Sequence, residues 1–495
     1  MIPSNRAECW VAVLVLGFVS SAQASSTSDD DDLESLSRLA GQALLRSRAY
    51  RFLGELADGI GPRLTGSPEE AKAFDWALRT MEAIGLARVH KEPWQLVRSW
   101  RRISARAELV SPFHLELNLA SLGWTGSTRK GGVEAEVIAV DSDSLTNEVK
   151  KNASQWSGKI LILAGRGAQH LGAVEYLSKL APFLEAAQSS KALAVIVEDP
   201  RPGTMLPHTG PPSFSGVDAP FSIPVIDMAA EHRKQIVRLL DRGQTVRVKI
   251  DVQNLLSKGP VESANIVGEM PGSEHPEQVV VLGAHLDSWD LGTGAIDDGF
   301  GIAAVLSAAD TIIASGLKPR RTIRIVLFSG EEQGMLGSRA YVRAHQSEMP
   351  NLVCALALDW GHGPITGMPL AGHTEMSLPL KSFAEAVVGL GTVKIDNSYL
   401  SYTDAYAFTL AGVPGIAFLQ NSHDSSLLGH SAADTLDKVD PEILARDAAL
   451  AAQATFWIAN QPTRIGKVFD AHETARVLTQ DKQRSSLEAL GLWPF

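Results

Sequence analysis

The chain has 495 residues, of which 45% are apolar and 20% are charged, and its formal net charge at pH 7 is −11. This length favours two or more domains, and the ordinary apolar and charged fractions are typical of a globular protein with large cores. The acidic balance argues against a nucleic-acid partner, because one short basic cluster at residues 98–102 is too little to offset the repulsion from phosphates.

The first 24 residues have the organisation of a secretory signal peptide. Arg6 precedes an apolar run at residues 10–19 that is too short to cross a bilayer, and residues 22–24 have the small-x-small form of a cleavage site. We therefore expect cleavage after Ala24, a secreted or periplasmic location and no stable membrane span. Cleavage would remove Cys9 and leave Cys354 without a partner for an intrachain disulfide.

Two helices are predicted before the first long run of strands. Residues 25–32 are polar and acidic and are predicted to form a disordered linker, after which apolar residues at helical spacing predict a helix from Leu33. A second helix is predicted to follow the N-cap Ser67, with Glu70 completing a capping box, and to stop at Gly85.

The middle of the chain follows a different pattern, in which short apolar strands are separated by glycine and proline turns. These strands are predicted at residues 133–140, 159–163, 192–197 and 246–252. We interpret the stretch as an inserted domain. The predicted division is a peptidase domain at 33–125 and 256–460, an inserted domain at 126–255 and a C-terminal tail at 461–495.

Three apolar runs after the insertion are typical of buried strands, and each is followed by side chains of the kinds that bind metals. The runs and their side chains are 279–282 with His285 and Asp287, 322–328 with Glu331 and Glu332, and 353–358 with Asp359. A lone Glu pair more often marks a solvated turn or a helix N-terminus. Because open α/β sheets bind ligands at the carboxyl ends of strands, we expect these side chains to converge instead.

Two loops add further candidates. Asp297 lies in a glycine-framed turn before an apolar helical run at residues 302–309, and His430 lies in the polar stretch 429–435. The combined set of two histidines and several carboxylates, in a chain with almost no cysteine, suits borderline or hard divalent cations and disfavours a closed thiolate site.

Two zinc ions about 3.5 to 4 Å apart need a carboxylate that bridges them. Asp297 is the natural bridge, with His285 and Asp359 on one ion and Glu332 and His430 on the other. Glu331 is then left as a general base, which takes a proton from a metal-activated water and returns it to a leaving amine. Asp287 is placed to orient the imidazole of His285.

The sequence resembles the co-catalytic zinc aminopeptidase family, which includes vacuolar aminopeptidase Y, glutamate carboxypeptidase II and a closer relative, carboxypeptidase Q. The likeness extends from about residue 36 to residue 460 and includes residues 61–67. Its most specific motifs are 283–288, 294–299, 329–334, Asp359 and 430–435.

The resemblance implies a mostly parallel, mixed α/β sheet sandwiched by helices, with a β-rich protease-associated domain inserted at 126–255. It implies two zinc ions per chain, a homodimer, and hydrolysis of dipeptides or short peptides. It also favours Asp297 over Asp298 as the bridge, which leaves Asp298 to cap the following helix. The implied residues are His285, Asp297, Glu332, Asp359 and His430 as ligands and Glu331 as general base.

The sequence departs from the family at Gly429, where relatives often carry a Tyr or His that polarises the scissile carbonyl. His423 or Tyr402 is a candidate for that role. Four alternatives remain on the same fold: a general aminopeptidase, a glutaminyl cyclase-like acyltransferase with one zinc, a non-peptidase amidohydrolase, and a receptor-type binding module. The last is disfavoured because all five ligand positions and the base are retained. Three other side chains are either bystanders or substrate contacts, namely His208, His362 and Asp404.

Overall fold

The computed structural model describes residues 23–165, 173–197, 201, 205–212, 217–400, 402–422 and 424–495. The apolar run of the predicted signal peptide and His423 lie outside these residues. Among the described helices, none combines the length and the apolar character needed to cross a membrane.

A six-stranded mixed sheet carries the strands with the predicted metal ligands. Four of its strands run parallel to one another, and two antiparallel strands complete one edge. The parallel strands are buried on both faces, as expected where helices cover a sheet from both sides. The spatial order is Ala87–Leu96, Val261–Met270, Arg321–Phe328, His275–His285, Leu352–Ala357 and Gly415–Ala417.

Helices cover both faces of this sheet. Phe300–Ser315 is buried on nearly every side, because it contains one charged residue in 16, and it packs against Pro441–Asn460. A small sheet formed by Ile365–Pro369, Lys394–Asp396 and Leu419–Gln420 lies beside them. The other helices of this part are Gln23–Arg46, Ala49–Ala57, Pro68–Ile84, Leu336–Ala344, Ser377–Ala386, Asp404–Leu410, Ser425–Leu428, Ala471–Gln480 and Arg484–Ala489.

The ends of the helix Pro68–Ile84 confirm the predicted N-cap and stop, but the predicted capping box was wrong. Ser67 Oγ accepts a hydrogen bond from the Glu70 N–H at 3.1 Å, and Gly85 closes the helix with φ at 98°, in the left-handed region that favours glycine. The Glu70 carboxylate accepts from the Gly66 N–H at 2.8 Å, and the Ser67 N–H donates to the Leu64 carbonyl instead. The prediction of a disordered linker at residues 25–32 was wrong, because these residues belong to the first helix, which begins at Gln23. A helix docked along its apolar face can extend into polar residues that would not start one.

The predicted insertion supplies strands to a second, eight-stranded sheet. All four predicted strands are present, and the three helices Leu145–Asn152, Ala173–Ser189 and Ala230–Asp241 accompany them. The region is therefore α/β rather than β-rich, because four of its strands are parallel and need crossover connections. The spatial order is Leu115–Leu117, Trp100–Ser111, Arg247–Leu256, Val133–Asp141, Ile160–Ala164, Ala194–Val197, Val225–Met228 and Leu119–Ser121.

This sheet begins upstream of the predicted boundary at residue 126. The strand Trp100–Ser111 pairs along its whole length with Arg247–Leu256, so residues assigned to the peptidase domain from sequence lie in the second sheet. The strand Ala87–Leu96 stays in the first sheet, and the chain therefore passes between the two sheets at residues 97–99.

Candidate metal centre

Two histidines and three carboxylates meet at the carboxyl ends of the parallel strands. His285 ends its strand, and its Nε2 lies 3.1 Å from Asp297 Oδ1 and 3.5 Å from Asp359 Oδ1. His430 Nε2 lies 3.2 Å from Asp297 Oδ2 and 3.1 Å from Glu332 Oε2. Asp297 thus stands between the two imidazoles, with one oxygen facing each.

Local hydrogen bonds fix the turn that carries Asp297. Asp434 accepts from the Ile296 N–H at 2.6 Å and from the Asp297 N–H at 3.3 Å. Asp298 accepts from the Gly301 N–H at 3.0 Å, which confirms its predicted role as a helix cap, and from the His285 N–H at 3.1 Å. The two neighbouring aspartates therefore have separate tasks.

The His285 ring is held by a carbonyl. Its Nδ1–H donates to the Asp287 backbone oxygen at 3.0 Å, whereas the nearest Asp287 carboxylate oxygen is 3.6 Å away. That carboxylate accepts instead from Thr65 Oγ1 at 2.8 Å and from the Glu331 N–H at 3.3 Å. Asp287 orients the imidazole through its main chain and the Glu331 turn through its side chain.

The donor set fits divalent cations. Within the described residues, Glu332 Oε1 and Asp359 Oδ2 are buried without a hydrogen-bond partner. Burial raises the pKa of both carboxyls, whereas hydrogen bonds with His285 and His430 outweigh burial and lower the pKa of Asp297. Buried carboxylates without partners are unfavourable, and cations would satisfy them.

Potential ligand atoms form two overlapping groups that share His285. One group joins His285, Glu331 and Asp359, and another joins His285, Asp297 and Glu332, with the ligand atoms of each group within 4.8 Å of one another. Glu331 therefore lies beside the ligands. Burial, followed by the charge of Asp359, raises the pKa of Glu331.

A cavity of about 560 Å³ opens above these side chains. The region of the second sheet, the loops that carry the candidate ligands and the C-terminal segment all contribute to its walls. Tyr402 lies in the wall, and a Cβ atom at Gly429 would lie 3.5 Å from Asp297 Oδ2, so position 429 directly adjoins the centre. Other lining residues are Leu177, Arg201, Thr209, Gly210, Met335, Trp360, Ser425 and Leu492.

The other histidines considered from sequence have local partners. His208 is buried, and its Nε2–H donates to the Leu427 carbonyl at 2.9 Å. His362 Nδ1 lies 2.8 Å from Ser425 Oγ. Asp404 is buried, and desolvation raises its pKa to about 8. None of these three side chains belongs to the cavity wall among the described residues.

Two supporting side chains were missed by the sequence analysis. Trp289 Nε1–H donates to Glu332 Oε2 at 2.7 Å, and its ring centroid lies 6.0 Å from that of His430. The Arg63 guanidinium is buried and donates to the Leu286, Thr293 and Gly294 carbonyls at 2.7 to 2.9 Å. Arg63 thereby fixes the loop before Asp297, and the only sequence signal was its place in the family-like stretch 61–67.

Curated relatives of the chain are peptidases. A sequence model described as peptidase family M28 matches residues 265–455, which include all five predicted ligands. Carboxypeptidase Q of Homo sapiens is 30% identical over 431 residues, which cover 87% of this chain and 89% of that protein. Carboxypeptidase Q of Mus musculus is 28% identical over 431 residues and covers 87% of this chain and 90% of its own length.

Solved structures share the architecture. A peptidase M28 precursor from Shewanella amazonensis SB2B is 30% identical and superposes with a TM-score of 0.80, covering 89% of this chain and 100% of its own. A zinc aminopeptidase from Bacillus subtilis, at 19% identity and a TM-score of 0.64, covers 86% of this chain and 98% of its own and shows the same fold. Identity of 30% to the human and Shewanella proteins, across nearly the full length of both chains, shows that this chain belongs to peptidase family M28.

Proposed function

We propose that the protein is an exported exopeptidase that uses two zinc ions to hydrolyse dipeptides or short peptides. The observation that carries the proposal is the position of Asp297, whose two carboxylate oxygens face His285 Nε2 and His430 Nε2 at 3.1 and 3.2 Å. A carboxylate shared in this way is what a pair of ions requires. The zinc aminopeptidase among the structural neighbours supports the choice of metal.

His285 and Asp359 would hold one ion, Glu332 and His430 the other, and Asp297 would give one oxygen to each. Bound zinc would lower the pKa of a water molecule to about 7 and polarise the scissile carbonyl.

Glu331 serves as the general base in this proposal. It takes the proton of the attacking water and passes it to the leaving amine, so that the amine departs as a neutral group. The hydrogen bond from the Glu331 N–H to Asp287 fixes the backbone from which the carboxylate projects. Asp287 therefore contributes by positioning both the base and His285.

The cavity favours small substrates. Its volume of about 560 Å³ lies within the range of small-molecule sites, and side chains of the second-sheet region and of the C-terminal segment line it. That volume suits a dipeptide or a short peptide. Relatives named as carboxypeptidases and as aminopeptidases support cleavage at a chain end and leave open which end is recognised.

The proposal extends to processing and assembly. Removal of residues 1–24 would deliver the mature protein to the periplasm or the medium. The region around residues 126–255 would act as a protease-associated-like domain that overhangs the site, and the family resemblance favours a homodimer.

A substrate panel tests the proposal. The purified mature protein, with its zinc content measured, is incubated with free dipeptides, N-blocked dipeptides and C-amidated peptides. We expect cleavage of free dipeptides and loss of cleavage when either end is blocked. N-terminal trimming of amides and longer peptides would establish a general aminopeptidase instead. No cleavage of any peptide with two zinc ions bound would refute the proposal.

A further inference from the structure

His430 is held by a loop from the region of the second sheet. The backbone of His208 forms a bridge with that of Ser431, and the Thr209 N–H donates to the His430 carbonyl at 2.9 Å. His430 Nδ1 lies 3.1 Å from the Thr209 carbonyl oxygen. Segments more than 200 residues apart in sequence therefore meet at the imidazole.

This contact determines which ring nitrogen is available. A carbonyl oxygen only accepts hydrogen bonds, so His430 Nδ1 must carry the proton. The lone pair then resides on Nε2, the atom that faces Asp297 and Glu332. Histidines that bind metals are commonly oriented by such a bond from their other nitrogen.

The backbone of His430 depends on the same loop. Its φ is 59°, in the left-handed region that residues with a side chain seldom adopt. Such a conformation persists where surrounding contacts impose it. The bridge to His208 and the Thr209 N–H supply those contacts on one side of the residue.

Arg102 ties the loop to the connection that follows a strand of the six-stranded sheet. Its Nη2 donates to Thr209 Oγ1 at 2.9 Å, and the same guanidinium forms a two-pronged pair with Asp290 at 2.9 and 3.1 Å. Asp290 lies in the connection between the strand ending at His285 and the turn of Asp297. The Arg102 and Asp290 side chains are only 11% and 17% exposed, so water screens this link weakly.

We propose that Arg102 and Thr209 are positioning residues for His430, so that the second-sheet region completes half of the metal centre. The inference rests on the proposed function, because it takes His430 as a ligand. Arg102 holds the Thr209 side chain, the Thr209 main chain holds the imidazole, and the imidazole presents Nε2. Loosening the loop should weaken the ion on the His430 side and leave the ion held by His285 and Asp359 nearly unchanged.

Zinc affinity, measured by competition with a chromophoric chelator on the full mature chain, tests the inference. Arg102→Lys keeps the charge and the apolar stem but loses the planar fork, and Thr209→Val keeps the shape and the carbonyl but loses the hydroxyl. We expect each variant to bind one of the two ions about 10-fold more weakly. The double variant should add little, because both changes break the same contact. Arg101→Lys, on the exposed neighbour, is the matched control and should bind as the wild type does.

Unfolding midpoints of the metal-free proteins separate positioning from stability. A variant with a lower midpoint and two wild-type zinc affinities would show a structural role alone and overturn the inference, as would equal weakening of both ions. Failure of the wild-type protein to bind two zinc ions would refute the proposed function and this inference with it. Normal binding by the wild type with unaffected variants would refute the positioning role alone.

Discussion

Glu70 is a buried carboxyl whose protonation should control stability. It is 1% exposed, and its oxygens accept from the Gly66 N–H and the Ser263 hydroxyl at 2.8 Å each and lie against the Ser329 hydroxyl. Burial raises its pKa from 4.5 to about 8, and the hydrogen bonds offset only part of that effect. The native protein therefore holds Glu70 in its neutral form at pH 7.

The direction of the pH effect follows from that pKa. In the unfolded chain Glu70 ionises above pH 4.5, whereas in the native state it stays protonated up to about pH 8. Its contribution to stability is therefore fully present below pH 4.5, falls as the pH rises, and is lost by about pH 8. At 1.36 kcal/mol per pH unit, the loss between pH 5 and pH 8.5 is about 4 kcal/mol.

Glu70→Gln removes this loss, because an amide imitates the neutral acid and does not ionise. We expect the variant to have nearly wild-type stability at pH 5 and to exceed it by an increasing margin up to pH 8.5. The measurement is urea unfolding of metal-free protein at several pH values, compared as variant minus wild type so that other titrating groups cancel. Glu69→Gln, on the partly exposed neighbour, is the control and should give a flat difference. The reasoning would be refuted if the free energy of unfolding of Glu70→Gln differed from that of the wild type by the same amount at pH 5 and at pH 8.5.

Three further changes probe the centre and the core. Glu331→Ala should keep both zinc ions and lower turnover by at least about 100-fold, whereas Glu332→Ala should lose one ion; equal loss of metal in both variants would contradict the assigned roles. Trp289→Phe removes the N–H that donates to Glu332 and should weaken zinc binding about 10-fold in a chelator competition, and an unchanged affinity would count against that support. Cys354 is buried and burial raises its pKa to about 12, so a thiol reagent should label it at pH 8 only after denaturation, and rapid labelling of the native protein would contradict its burial.

The sequence predicted features that depend on neighbouring residues. The run before Glu331 alternates too little to be half-buried, and it forms a strand buried on both faces. Ser67 and Gly85 mark the ends of a helix because capping is decided within a few residues. Asp298 caps the next helix for the same reason. The apolar runs were sufficient to place His285, Glu332 and Asp359 at or just after strand ends, whereas Asp297 and His430 lie in loops.

Features that depend on distant segments could not be predicted. The Thr209 carbonyl carries no sequence signal, because every residue has one, and its contact with His430 exists only once the two sheets are packed. The strand Trp100–Ser111 could belong to either sheet by composition, and its partner is found about 140 residues later. The carbonyl of Asp287, rather than its carboxylate, contacts His285 because of a backbone turn that residue types do not reveal.

Zinc titration of the metal-free mature protein, with dipeptide hydrolysis followed at each addition, tests the central claim most directly. The account predicts that two zinc ions bind per chain and that cleavage of free dipeptides reaches its full rate only when both are present. Binding of no more than one ion per chain, or two bound ions without hydrolysis of any peptide, would contradict it.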